Sequence, residues 1–216
     1  MIITDFTAGH IEEAAMIALQ NYQNERSFVP ALPPVDALPG LKPYAENGLG
    51  VAAFEGDTMV GFLCSVSPFS NAFGSTNATG VFSPMGANGA VGSNRAKVYA
   101  RLYQAAAEKW VNAGASSHAV CLYAHDREAL EQFFRYGFGM RCVDAIREMD
   151  EIAAPPCEGY SFYELDFENV LKVLPLDNML DDSYIDSPFF MYRARNSEAE
   201  FVEEYRQFQP IYFAAG

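Results

Sequence analysis

Three glycines, at 86, 89 and 92, sit between a short apolar run and a helix-forming segment in residues 82–103, FSPMGANGAVGSNRAKVYARLY. Strand, glycine loop, helix is a geometry that binds phosphates. Glycine lets the backbone approach closely, and a helix N-terminus offers unpaired N–H groups at the positive end of its dipole. The same pattern also serves as a plain connector, so the loop alone leaves both readings open. A second reactive group closes the apolar run 117–125: Tyr123, His125 and Asp126. An imidazole titrates near neutrality and suits proton transfer. The bland alternatives are a polar strand-end side chain for His125 and a core residue for Tyr123.

These groups need elements to hold them. Residues 1–6 read as a short strand. Thr7 can cap a helix over 8–26, whose apolar stripe holds Ile11, Ala15, Ile17, Ala18, Leu19 and Tyr22. A proline-rich stretch follows, with room for a short helix at 35–46. The apolar runs 49–55 and 58–67 are joined by Gly56-Asp57, a hairpin signal. A strand at 78–83 leads into the glycine loop and a helix to about 113. A strand at 117–125, a helix at 126–136 ending at Gly137, and a last strand at 138–149 complete the order. Early hairpins with a late strand–helix–strand crossover predict a mixed α/β sheet rather than a doubly wound one. The loop also lacks GxGxxG and GK[ST], which argues against dinucleotide and nucleoside triphosphate binding.

Composition narrows the classes. The chain has 216 residues, half of them hydrophobic, with a formal net charge of -14 and no basic cluster. Nucleic acid and anionic membrane surfaces are thereby excluded as expected partners. Cys64, Cys121, Cys142 and Cys157 form no CxxC pair and read as buried thiols of a reducing compartment. No ligand-spaced His/Cys/Asp cluster predicts a metal. The N-terminus has no signal-peptide pattern and no apolar run spans a bilayer, so a cytoplasmic location is expected.

The strand order, the loop after the fourth strand and the segment CLYAHDREALEQFFRYGFG at 121–139 together resemble the GCN5-related N-acetyltransferase (GNAT) superfamily. Ala129, Gly137 and Phe138 match that family's strand–helix motif; Asp126 stands at its Asn position and Phe133 at its Tyr position. The resemblance covers residues 1–149. It implies a GNAT-like acyl-CoA N-acyltransferase fold whose fourth and fifth strands splay into a cleft, with acetyl-CoA or another acyl-CoA as donor. It places the pantetheine amides along Val81, Phe82 and Ser83. It puts the pyrophosphate on the N–H groups of Gly86, Asn88, Gly89, Ala90, Val91, Gly92, Ser93 and Asn94, with the adenine end near Arg95 or Lys97. The implied activity is N-acetyl transfer to a small amine or amino-acid-like substrate, with Tyr123, His125 and Asp126 as the catalytic candidates. The alternative is a non-catalytic acyl-CoA-binding or scaffolding domain that supports a second such domain.

Residues 150–216 differ in charge. They carry 14 acidic and 4 basic residues, against 14 and 10 in residues 1–149. They also repeat the opening pattern: Asp5-Phe6 before a helix matches Asp166-Phe167, and the strand before Gly56 matches IYFAA before Gly216. The spacing predicts an incomplete second GNAT-like repeat, strand–helix–helix–strand, as in the front of a tandem protein. An unrelated helical tail with one edge strand is the alternative. An open sheet edge there predicts a homodimer or an intrachain contact through residues 160–216, with Phe189, Phe190, Phe201, Phe208 and Tyr212 as the contact residues.

Overall fold

A computed structural model describes residues 1–37, 40–151, 153, 159, 161–186, 195–207 and 212–215. Its contacts divide the chain into two compact units, Met1–Ala72 with Asn77–Glu148, and Phe73–Thr76 with Met149–Gly216.

The first unit is built on an antiparallel sheet in the order β1 (Ile2–Asp5), β2 (Val51–Glu55), β3 (Thr58–Leu63) and β5 (Asn88–Ala90). The Gly56-Asp57 turn joins β2 to β3, with Gly56 at φ +62. Strand side chains alternate between faces, and both faces of this sheet are covered. Val51, Ala53 and Leu63 pack with Val98, Leu102, Ala106 and Trp110 of helix α3 (Arg95–Asn112). Ala52, Phe62 and Cys64 pack with Ala14, Ile17 and Ala18 of helix α1 (Ile11–Phe28). Double burial explains why these strands read as continuous apolar runs. A short helix, α2 (Lys42–Glu46), follows the proline-rich stretch.

The expected strand 78–83 forms as β4 (Gly80–Ser83), and its parallel neighbour is β6 (Ser117–Val120), Gly80 opposite Ser117 and Ser83 opposite Val120. The other side of β4 bonds to the continuation of β3: the Val66 N–H donates to Phe82 O (2.9 Å), and Phe69 and Gly80 exchange bonds. Helix α4 (Arg127–Arg135) starts at Asp126, whose carboxylate accepts the Ala129 N–H. It ends in a Schellman turn: Phe138 N–H donates to Phe133 O and Gly137 N–H to Phe134 O, with Gly137 at φ +86.

Four expectations are corrected. The glycine loop is not one loop: Asn88–Ala90 pairs with β3 as a strand, leaving only residues 91–94 before α3. The fifth strand stops at Val120 rather than 125. Residues 138–149 carry no strand; Arg141, Asp144, Arg147 and Glu148 break the alternation, and residues 139–150 are exposed. Cys142 is exposed, not buried, and Cys157 lies outside the described residues.

The second unit pairs β7 (Phe162–Leu165) antiparallel with β8 (Tyr212–Ala215). Between them run a 3-10 turn capped by Asp166, helix α5 (Leu174–Asp186) and helix α6 (Glu198–Gln207). Among the described residues, Leu165, Val170 and Phe201 are its buried apolar ones.

Candidate active site

His125 is the centre of the best-formed reactive cluster. Its Nδ1 is hydrogen-bonded to Glu25 Oε2, and both side chains are under a tenth exposed. Its Nε2 meets Asn24 Nδ2 at 2.8 Å. The ring stacks on Phe28, with centroids 4.9 Å apart and planes 8° from parallel. Glu25, Asn24 and Phe28 all come from the C-terminal half of α1. A carboxylate on Nδ1 keeps the proton there, so Nε2 carries the lone pair. The Asn24 amide donates to that lone pair. This is the arrangement of an oriented general base.

Tyr123 adjoins this pair, its ring 6.3 Å from the imidazole. Among the described residues its buried hydroxyl has no hydrogen-bond partner. Burial, then Tyr22 and then Glu25, push its pKa up to about 12, so the phenol keeps its proton at neutral pH.

Asp126 does not join the cluster as a free acid. It caps α4 and pairs with Arg95, Nε to Oδ2 and Nη2 to Oδ1 both at 3.1 Å. Arg95 opens α3, and the first turn of that helix has no acidic residue and no side-chain cap from Asn94. Gly92 stands at φ +86, and a Cβ there would meet open space. The uncapped turn, the open glycine and the guanidinium fit an anionic group such as a diphosphate.

A pocket of about 430 Å³ lies between these parts, lined by Gln20, Asn21, Gln23 and Asn24 on α1 and by Gly92 and Arg95 opposite. Val91, the first residue of the loop, lines it too; Ser93 and Asn94 are exposed on the loop.

The remaining site expectations are redistributed. Val81, Phe82 and Ser83 present no free strand edge, because β6 and residues 66–69 take both sides of β4. Gly86, at φ +82, belongs to the turn that separates β4 from β5, where Ala87 N–H donates to Pro84 O. Gly89 faces α1: a Cβ there would lie 2.8 Å from Asn21 Nδ2 and 2.9 Å from Ile17 Cγ2. Ala90 is buried. Asn88 is a buried bridge. Its Nδ2 donates to Ser83 Oγ (3.1 Å) and Cys121 O (3.0 Å), and its Oδ1 accepts from Tyr99 (3.2 Å). It ties β5 to the end of β6.

Sequence reading missed Glu25, Asn24 and Phe28. One signal was present. Ala14, Ala18, Tyr22 and Glu25 continue the inward stripe of α1, and a carboxylate in an apolar stripe needs a buried partner.

No family model and no curated protein sequence matches the chain. A tetramutant of the BH1408 protein from Bacillus halodurans aligns at TM-score 0.53 and 11% identity, covering 70% of this chain and 100% of that one. The likeness is one of fold, the mixed α+β arrangement of antiparallel sheet and flanking helices. The wild-type TTHA1254 protein of Thermus thermophilus aligns at TM-score 0.46 and 18% identity, with coverage of 70% and 100%. A probable acetyltransferase aligns at TM-score 0.43 and 17% identity, with the same coverage.

Proposed function

We propose that the first unit is an acyl-CoA-dependent N-acetyltransferase acting on a small amine or amino-acid-like substrate. The observation that carries this reading is the Glu25–His125–Asn24 chain, whose last member, Asn24, lines a polar pocket beside the uncapped start of α3. The fold and the motif at 121–139 support it. Bound acyl-CoA would supply an acyl group activated as a thioester, its diphosphate held by residues 92–95. His125 Nε2 takes the proton of the acceptor amine once that amine displaces the Asn24 carboxamide. Glu25 holds the imidazole and stabilises the imidazolium that forms. Tyr123 keeps its O–H at neutral pH and offers it as a donor to the departing sulfur.

Calorimetry with acetyl-CoA tests donor binding, and thiol release over a panel of amines tests transfer. His125→Gln is expected to lower kcat by about 10²–10⁴, the worth of a positioned acid–base group. Full activity in H125Q overturns the assignment.

A second reading, a non-catalytic acyl-CoA-binding or scaffolding domain, has its own observation. Phe133 stands in the core against Tyr99, Tyr103 and Phe138, so no phenol occurs at that position of α4. Acetyl-CoA binding without thiol release for any amine selects this reading.

We also propose, in a cytoplasmic setting, that residues 150–216 are an incomplete second copy in the manner of a tandem protein. The strand registers support it. Ile2↔Phe54, Ile3↔Ala53 and Thr4↔Ala52 in β1–β2 correspond to Tyr163↔Ala214, Glu164↔Phe213 and Leu165↔Tyr212 in β7–β8 when Asp5 is set on Asp166 and Gly56 on Gly216. The proposed homodimer contact moves, however. Phe201 is buried, Phe189, Phe190, Phe208 and the side chain of Tyr212 lie outside what is described, and Leu176, Met179, Leu180 and Ile185 are exposed apolar residues of α5. Light scattering of wild type and Met179→Lys tests whether that face joins two copies.

A further inference from the structure

The lone pair of His125 lies behind a single side chain. The His125 side chain is 9% exposed. Glu25, itself buried, holds Nδ1, while Phe28 stacks on the ring and Tyr123 lies beside it. The reactive nitrogen, Nε2, is covered by Asn24 Nδ2 at 2.8 Å. Asn24 is an exposed residue, and among the described residues this bond is the only one its side chain makes. A base whose lone pair already accepts a hydrogen bond takes no proton from an amine until that bond breaks. The same residue lines the pocket beside Gly92 and Arg95. One carboxamide therefore serves both the base and the place given to the donor's diphosphate.

We propose that Asn24 is a positioning residue, a latch that keeps His125 Nε2 capped until the donor's diphosphate draws the carboxamide into the pocket. This rests on the acyl-transfer reading and on the donor site it assigns. The diphosphate and the imidazole compete for the Nδ2 hydrogens. A phosphate oxygen is charged and the imidazole nitrogen is neutral, and charge-assisted hydrogen bonds are roughly twice as strong as neutral ones. Arg95 is tied to Asp126 through two bonds. The Asn24 carboxamide is a donor that the diphosphate recruits without breaking an ion pair. The swing is cheap, because the residue is exposed and gives up one hydrogen bond. The displacement that the acceptor amine completes thus begins with the donor. Glu25 keeps the imidazole oriented throughout, since it holds the other ring nitrogen.

The test follows Nε2 by long-range proton–nitrogen NMR of the full chain at mildly alkaline pH. Asn24→Ala, a change at an exposed position, removes the cap, and the imidazole nitrogen signal that moves to higher chemical shift in N24A is that of His125. Coenzyme A, which has no acyl group to transfer, is then added to the wild type, and calorimetry reads its binding. The Nε2 signal is expected to move to its N24A position, and in N24A coenzyme A is expected to leave it there. Diethyl pyrocarbonate gives a second readout with no donor present. Peptide mass spectrometry should show His125 modified about fivefold faster in N24A, the worth of one hydrogen bond, with His10 unchanged. Binding heat with a stationary Nε2 signal overturns the latch while the donor assignment stands. Absence of binding heat overturns the donor assignment and the latch with it. An N24A chain in which no imidazole signal moves, or in which His125 is modified at the wild-type rate, overturns the cap itself.

Discussion

Asn88→Ala should destabilise the first unit by about 3 kcal/mol. The residue is 6% exposed and its carboxamide serves four partners: Ser83 Oγ, Cys121 O, the Tyr99 hydroxyl and, at 3.5 Å, Pro84 O. Alanine leaves Ser83 and Tyr99, both buried, with hydroxyls that have no other bond among the described residues. Each unsatisfied buried group costs about 1–3 kcal/mol, and the larger sum is reduced because water can enter the vacated polar space. The assay is urea unfolding followed by fluorescence. Trp110 is the only tryptophan and is fully buried in this unit, so its emission reports this unit's unfolding. With a slope of about 2 kcal/mol/M, the midpoint falls by about 1.5 M. Asn88→Asp keeps the acceptor for Tyr99 but loses the donor and faces two oxygens with a charge. It should lose at least as much at neutral pH and recover on acidification. A loss below about 0.5 kcal/mol in N88A, within the range of an ordinary surface change, refutes the bridge.

Gly89→Ala should cost about 1–3 kcal/mol, because the added methyl meets Asn21, Ile17 and Phe62 and pushes α1 from the sheet; thermal unfolding reads it. Gly92→Ala meets nothing, so its cost, about 1 kcal/mol, comes from positive φ alone, and Gly92→Asn should recover part of it. Phenolate absorbance should show Tyr123 and Tyr99 ionising after the exposed tyrosines, since burial comes first among the causes that raise both. For a group whose folded pKa is raised, the stabilisation is intact below the unfolded value near 10 and is lost as pH climbs through the folded value. The first unit should therefore weaken progressively above pH 10, and Tyr123→Phe should lessen that loss.

Local signals in the sequence marked most of the fold. Gly56-Asp57 set the hairpin, Thr7 and His10 set the helix start, where Thr7 N–H donates to His10 Nδ1 (3.2 Å), and Gly137 set the end of α4. What local signals could not carry was register. Asn88–Ala90 looks like loop because Asn and Gly are turn residues. It is a strand because Gly89 lets α1 approach and Asn88 finds buried partners at Ser83 and Cys121. The site shows the same division. Tyr123, His125 and Asp126 were visible as a strand-end cluster, yet Asp126 takes the capping role that its place before a helix favours. Glu25 and His125 lie 100 residues apart, and pairing at that distance follows from how α1 crosses the sheet.

The position of the phenol bears on the chemistry. In the family resemblance the aromatic residue four places before the Gly137-Phe138 turn supplies a hydroxyl, and here it is Phe133. Phe133 packs edge-on to Tyr99, Tyr103 and Phe138 and is 4% exposed, so a hydroxyl there would need a partner that this apolar core does not offer. Tyr123 comes from the other end of the same motif, beside His125, and its hydroxyl is buried and unpartnered among the described residues. A buried hydroxyl without a partner costs free energy, which makes it a place where a ligand atom gains by arriving. On the transfer reading, the proton donor has moved from α4 to the end of β6, next to the base. On the scaffold reading, Tyr123 has no such task, and Tyr123→Phe should stabilise the unit and leave acetyl-CoA binding unchanged. The two readings therefore separate on one substitution: Y123F lowers thiol release only if the hydroxyl serves the departing sulfur.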